Sequence, residues 1–152
     1  MTSRTRGRFS SRRGSSLVEF ALVLVQLFLV IFAALEFARM VLVFTNVANA
    51  TRVGVRYAIV HGSKRTGTGT NGPASAADVC AVVNDYAKSG LLDTRRLVCG
   101  ATSGGRVQVT WPDGANDPGY KVVVTVVYPY DHFTVLPLNV PLGTTTEGII
   151  TF

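Results

Sequence analysis

The apolar residues change character along the chain. From Leu17 to Leu35 they are nearly continuous, interrupted by Glu19 and Gln26. Read as a helix starting near Ser16, this run is roughly 29 Å long, enough to span a bilayer. Beyond it the pattern becomes periodic. Val43, Val47, Ala50, Gly54 and Ala58 recur at spacings of three and four, while Asn46, Asn49, Arg52 and Arg56 occupy other faces. No firm stop occurs before His61-Gly62. The pattern therefore predicts one long helix over 15–61, its first half (about 17–35) in lipid and its second half packed on something. Gly54 disfavours such a helix by about 1 kcal/mol relative to alanine, and its small size would let a neighbour come close.

The remaining residues, 62–152, read as an α+β domain. His61 to Pro73 is rich in glycine with no hydrophobe after the histidine, so it is expected to be an exposed connector. A phosphate-cradling loop is excluded there, because Gly67-Thr68-Gly69 lacks a following Gly-Lys-Ser/Thr. Ser75-Ala76-Ala77-Asp78 has the form of a capping box, with Val79, Val82, Val83 and Tyr86 as the apolar stripe and Gly90 as the stop. Strands are predicted at Arg95–Cys99, Arg106–Trp111, Tyr120–Tyr130 and Thr144–Phe152. Turns are predicted at Trp111–Gly114 and Asn116–Gly119. Val122 to Val127 is a β-branched run suited to a central strand, and Pro129, Pro137 and Pro141 mark an extended crossing before the last one. The expected fold is α+β: a long N-terminal helix packed on a small antiparallel sheet.

Charge alters the picture only once it is mapped. The chain has 152 residues, an apolar fraction of 47% and a formal charge of +6, with positive mean hydropathy. Arg4, Arg6, Arg8, Arg12 and Arg13 carry most of that charge within an acid-free leader, residues 1–14, which is expected to be disordered. No basic stripe with interleaved aromatics follows, which argues against nucleic-acid binding. An ordinary signal peptide fits poorly, since the apolar run is long and no Ala-x-Ala site closes it. The positive-inside rule places the leader in the cytoplasm and the domain after the helix outside. Glu36 then marks the far membrane boundary, within reach of Arg39 at i,i+3.

Cys80 and Cys99 are the only cysteines. Outside the cytoplasm, a pair is most simply read as one disulfide, closing a loop of about 20 residues and stabilising by roughly 3 kcal/mol in the loop-entropy account. Two buried free thiols are the alternative. A zinc set with His61 and His132 matches no compact ligand spacing, so no metal or other cofactor is expected. Asp131-His132 is a weak catalytic pair, because adjacent strand residues face opposite sides. No catalytic residues are assigned.

The charge pattern near the start carries the most specific chemistry. An ionised side chain in hydrocarbon is unfavourable by a few kcal/mol, so Glu19 needs a partner. If the chain is cut after Gly14, the new amino group of Ser15 lies about one helical turn, roughly 6 Å, before Glu19. Neighbouring subunits staggered by a turn would then satisfy amine with carboxylate. Glu19 as a plain interfacial residue, favoured by the helix N-terminal dipole, is the other reading.

Gly14-Ser15-Ser16-Leu17-Val18-Glu19-Phe20-Ala21-Leu22-Val23-Leu24, Leu35-Glu36-Phe37-Ala38-Arg39 and Ala50-Thr51-Arg52-Val53-Gly54-Val55-Arg56-Tyr57-Ala58 together resemble the TadE/TadG-like pseudopilins. These are minor pilin-like proteins of the tight-adherence (Flp) type IV pilus systems, which serve adhesion. The resemblance covers roughly 12–58. It implies a pilin-like fold, cleavage between Gly14 and Ser15 by a prepilin peptidase, and Glu19 as the fifth mature residue. It further implies assembly with other pilin and pseudopilin subunits on an inner-membrane platform. Many relatives carry a proline near the middle of the apolar run, where this chain has Val25-Gln26. Gln26 instead places an amide in the bilayer, able to pair with a neighbouring helix. The competing reading is an unprocessed single-pass membrane protein with an extracytoplasmic binding domain.

Overall fold

The computed structural model describes residues 12–68, 71–90, 92–131 and 140–152. The leader up to residue 11 and His132 lie outside the described residues. Helix α1 runs over Arg12–Val60, so it begins before Ser16 and takes in Gly14, which was expected to be disordered. Apolar periodicity locates such a start late, because exposed polar residues can extend a helix without contributing to its stripe. The chain forms two compact units, Met1–Ala38 and Arg39–Phe152.

Within the second unit, helix α2 (Ala76–Ser89) starts with the expected capping box. Ser75 Oγ accepts from Asp78 N at 3.3 Å, and Ser75 N donates to Asp78 Oδ2 at 2.9 Å. The Ser75 hydroxyl and then its backbone N–H hold the Asp78 carboxyl below its ordinary pKa. Gly90 ends the helix for a reason other than left-handed geometry. Its φ is −82°, and a Cβ there would press on the Asn46 side chain. Asn46 in turn donates to Gly90 O at 3.0 Å.

The sheet has the order β1-β2-β3-β4, with β1 Val98–Cys99, β2 Arg106–Thr110, β3 Lys121–Tyr130 and β4 Val140–Ile149. Strand β3 is central, as its valines suggest, pairing antiparallel with β2 and along its whole length with β4. Strand β1, however, runs parallel to β2, so the expected antiparallel sheet is mixed. Gly100 and Gly104, at φ +71° and +75°, let the intervening loop swing the chain back to run in its original direction. Val98 N then donates to Gly105 O, and Gly100 N to Val107 O.

Other strand boundaries shift too. Thr94–Arg96 form a 3-10 turn in place of the start of a strand, because the Asp93 side chain caps it through Arg95 N at 3.2 Å. Strand β4 begins at Val140, earlier than Thr144, with Pro141 opposite Pro129. Neither proline has an N–H, so that pair occupies a non-hydrogen-bonded position of the ladder, which antiparallel strands provide at alternate residues.

The first predicted turn forms at Trp111–Gly114, and the second closes one residue later than expected, over Asp117–Tyr120. Gly114 N donates to Trp111 O at 3.0 Å, and Tyr120 N to Asp117 O at 3.1 Å. In the second turn Pro118 precedes Gly119, whose φ of +91° suits the third position of a type II turn.

One face of β3 (Val122, Val124, Val126, Tyr128, Tyr130) is buried. The core joins it to Val47, Ala50, Val55 and Ala58 of α1 and Val79, Cys80, Val83 and Ala87 of α2. The stripe expected on the second half of α1 is thus the packed one, widened by Val55 and by buried Thr51. The Thr51 hydroxyl bonds Val47 O at 2.8 Å and lies 2.7 Å from Thr144 Oγ1 on β4. Gly54 sits where a Cβ would come within 2.5 Å of Val83 Cγ2, so its smallness admits a side chain of α2. The connector after α1 is not exposed throughout. His61 and Gly62 are buried at one end, Gly72 and Ala74 at the other, and Asn116 Nδ2 donates to both His61 O and Ala74 O.

Candidate assembly site

The first unit holds Gly14, Ser15 and Glu19 on the opening turns of α1, all exposed. The apolar side chains around and after them are exposed as well. Leu17 keeps 69% of its surface open, Phe20 63% and Val30 67%. Helix α1 is long and apolar enough to cross a membrane, and none of its most apolar window is buried inside the protein. In water such a surface would be strongly unfavourable, at about 25 cal/mol per Å². The run therefore demands a cover of lipid or of other helices.

Gly14 stands apart from the glycines that the fold requires. A Cβ placed on it meets nothing within 4 Å, whereas one on Gly54, Gly62 or Gly148 would collide with a neighbour. Its conformation is helical, where alanine would be more favourable by about 1 kcal/mol. Among the described residues, no packing contact calls for a glycine at this position.

Cys80 and Cys99 form a disulfide with a Cα–Cα distance of 6.0 Å, tying α2 to the short edge strand β1. In that bond neither sulfur is a free thiolate. His61 is buried at the end of α1. Its Nδ1 lies 2.8 Å from Tyr57 O and its ring stacks on Tyr57 at a centroid distance of 3.9 Å. Arg65 donates to Val60 O at 2.7 Å and to Asn71 O at 3.0 Å, closing the helix end further.

A polar cleft in the second unit escaped the sequence reading. It encloses about 310 Å³ among Arg39, Leu92, Asp93, Arg96, Tyr128 and Asp131, with Tyr130 beside Arg39. The Arg39 guanidinium lies over the Tyr130 ring at 5.5 Å from its centroid. Arg96 pairs with Asp131 and, at 3.7 Å, with Asp93. The hydrogen bond and charge of Asp131 hold Arg96 above its ordinary pKa. Asp93 N donates to Tyr128 Oη at 3.3 Å. In the sequence, Asp131 stood out only as a neighbour of His132, and Arg39 as a partner for Glu36 and the end of a family-like segment.

The family model described as TadE-like protein matches residues 14–56. No curated protein matches the chain significantly, and no solved structure does. The match opens at Gly14, covers the exposed apolar run and ends within the packed half of α1. A TadE-like domain on an apolar helix of membrane-crossing length makes the chain consistent with a member of the TadE-like family, whose proteins are structural components of the tight-adherence pilus, and fits a membrane protein related to that pilus.

Proposed function

We propose that this chain is a minor pilin-like subunit, anchored by the apolar half of α1 and cut after Gly14 by a prepilin peptidase before entering a tight-adherence pilus. The observation that carries the reading is Gly14 itself. It is a glycine whose Cβ would meet nothing among the described residues, it opens the TadE-like match, and it precedes the lone carboxylate of the apolar run, Glu19, by five residues. A glycine unfavourable to its own helix and without packing neighbours among the described residues supports a role in recognition by another molecule.

In this reading the basic leader stays on the cytoplasmic side and the Arg39–Phe152 unit lies outside, where an oxidising compartment maintains the Cys80–Cys99 bond. Removal of the leader frees the Ser15 amine. A neighbour's Glu19 accepts it as subunits leave the bilayer, and the exposed apolar side chains are covered by other pilin helices. The protein acts with the peptidase, the other pilins and pseudopilins, and the inner-membrane assembly platform.

Intact-mass measurement of membrane-extracted protein tests the first step, and a chain beginning at Ser15 is expected. A mature product that starts at Met1 would sink the processing claim. Gly14→Ala should slow cleavage while leaving the folded unit unchanged. Glu19→Ala should permit cleavage and impair pilus assembly. Normal assembly of Glu19→Ala would show the amine–carboxylate pairing to be wrong.

A further inference from the structure

The edge of the sheet beside β1 is only partly covered. Strand β1 pairs with Arg106 and Val107, and Gly100 N closes the pairing on Val107 O at 2.9 Å. Gly100 adopts a φ of +71°, and the chain leaves the edge there. Backbone groups of successive strand residues point to opposite sides. Val109, two residues after Val107, therefore turns its N–H and C=O toward the lane that β1 has left. Neither group meets a backbone partner there among the described residues. Over this free edge lies a groove of about 400 Å³. Ala76 and Ala77, exposed in the first turn of α2, form one wall, and Val107 and Val109 line the strand side. Cys99 and Gly100 stand at the end where β1 stops, and no charged side chain joins the lining.

The disulfide at that end is asymmetric in access. Cys80 keeps 1% of its surface and packs in the core with Val79 and Val83, whereas Cys99 is exposed. Of the two, Cys99 alone borders the groove. In thiol–disulfide exchange a thiolate attacks one sulfur and the other leaves, so access decides which sulfur is taken. Here it selects Cys99 as the attacked sulfur and Cys80 as the leaving one. Asn84 Nδ2 lies 3.8 Å from both sulfurs, which places a donor beside the departing thiolate.

We infer that this groove receives an extended, cysteine-bearing segment of another protein, whose thiol exchanges with the disulfide at Cys99. The segment adds as a strand in the lane that β1 vacates and bonds the N–H and C=O of Val109, as peptides do at open sheet edges. Cys99 is bonded to α2 through Cys80, so its side chain lies on the helix side of the sheet. A cysteine on the same side of the added strand comes beside it, and the small side chains of Ala76 and Ala77 leave it room. The segment's thiol gives its proton to solvent and its sulfur bonds Cys99 Sγ. The Cys80–Cys99 bond breaks, and Cys80 leaves as a thiolate that takes up a proton. The incoming cysteine is thereby oxidised to the mixed disulfide and Cys80 is reduced; attack by Cys80 on Cys99 reverses the step. The partner that fits is a thiol–disulfide oxidoreductase, whose chemistry runs through such mixed disulfides. The site belongs wholly to the Arg39–Phe152 unit and does not depend on cleavage at Gly14.

The test offers two synthetic thiols to the full chain in detergent: a short β-branched peptide with one central cysteine, and the same peptide N-methylated along its backbone. Acid quenching and mass spectrometry follow the loss of the protein disulfide, and fragmentation locates the peptide adduct. The unmethylated peptide should open the bond about tenfold faster, the effect of two backbone hydrogen bonds. Its adduct should sit on Cys99. Ala77→Leu, at an exposed position of α2, narrows the groove and should bring the rate down to that of the methylated peptide. Tryptophan fluorescence melts run in parallel show that this variant is folded. Equal rates for the two peptides, or an unchanged rate in folded Ala77→Leu, overturn the docking of a strand. An adduct on Cys80, or a disulfide that neither peptide opens in the folded chain, overturns the exchange at Cys99.

Discussion

Replacing Gly54 with alanine tests how α1 meets α2. The added Cβ would lie 2.5 Å from Val83 Cγ2, 3.5 Å from Val124 Cγ1 and 3.6 Å from Val79 Cγ1. The latter two distances are ordinary contact; the first requires movement. Val83 and its neighbours are fully buried, and a β-branched side chain has little rotameric freedom on a helix. Overpacking of this kind destabilises by about 1–3 kcal/mol. Alanine also gains about 1 kcal/mol of helix propensity over glycine, so the net effect is a loss of about 0–2 kcal/mol. At about 4 °C per kcal/mol for a unit of this size, Tm should fall by roughly 4 °C at the middle of that range. Val83→Ala removes the obstructing methyl. In that background Gly54→Ala should become stabilising by up to about 1 kcal/mol, so that the substitution changes sign. Trp111, the single tryptophan, packs against the core and reports unfolding of the full chain in detergent by fluorescence. If Gly54→Ala is stabilising in the wild type, and Val83→Ala leaves its effect unchanged, the close approach of α1 and α2 is refuted.

Cys80→Ser with Cys99→Ser should lower stability by about 3 kcal/mol in the loop-entropy account, and reductant should have the same effect on the wild type but none on the variant in urea melts. Ser75→Ala should destabilise the second unit by about 1 kcal/mol through loss of the α2 cap. The Asp78 carboxyl is held below its ordinary pKa by Ser75, so its contribution is present above the unfolded-state value, about 3.9, and disappears as pH falls through the lower folded value. The acid limb of a stability–pH curve should accordingly flatten in Ser75→Ala. Gly148→Val should be more disruptive than Gly54→Ala, because even a Cβ at 148 comes within 2.5–2.7 Å of Ile59 and Val55 on α1; an unchanged Tm would contradict the packing of β4 under α1.

Features written in neighbouring residues could be read without the structure. The apolar run from Leu17, the stripe through Val47 and Ala58, the Ser75–Asp78 box and the Pro118-Gly119 turn are all local. Each follows from hydrogen bonds or burial repeating within a few positions. Glu19 was recognisable for the same reason, as a charge misplaced among its immediate neighbours. Gly14 was only half legible: the sequence suggested a cut, but only the structure shows that, among the described residues, no packing contact uses this glycine, unlike Gly54 or Gly148. The parallel placement of β1 depends on how the loop from Gly100 to Gly105 returns, which strand propensity does not encode. The polar cleft was hidden altogether, because Arg39, Arg96 and Asp131 lie far apart in the chain and become neighbours only when α1 and the sheet close on a common core. Pattern along a chain reports which face is buried; which distant charges meet is set by the long-range pairing that buries it.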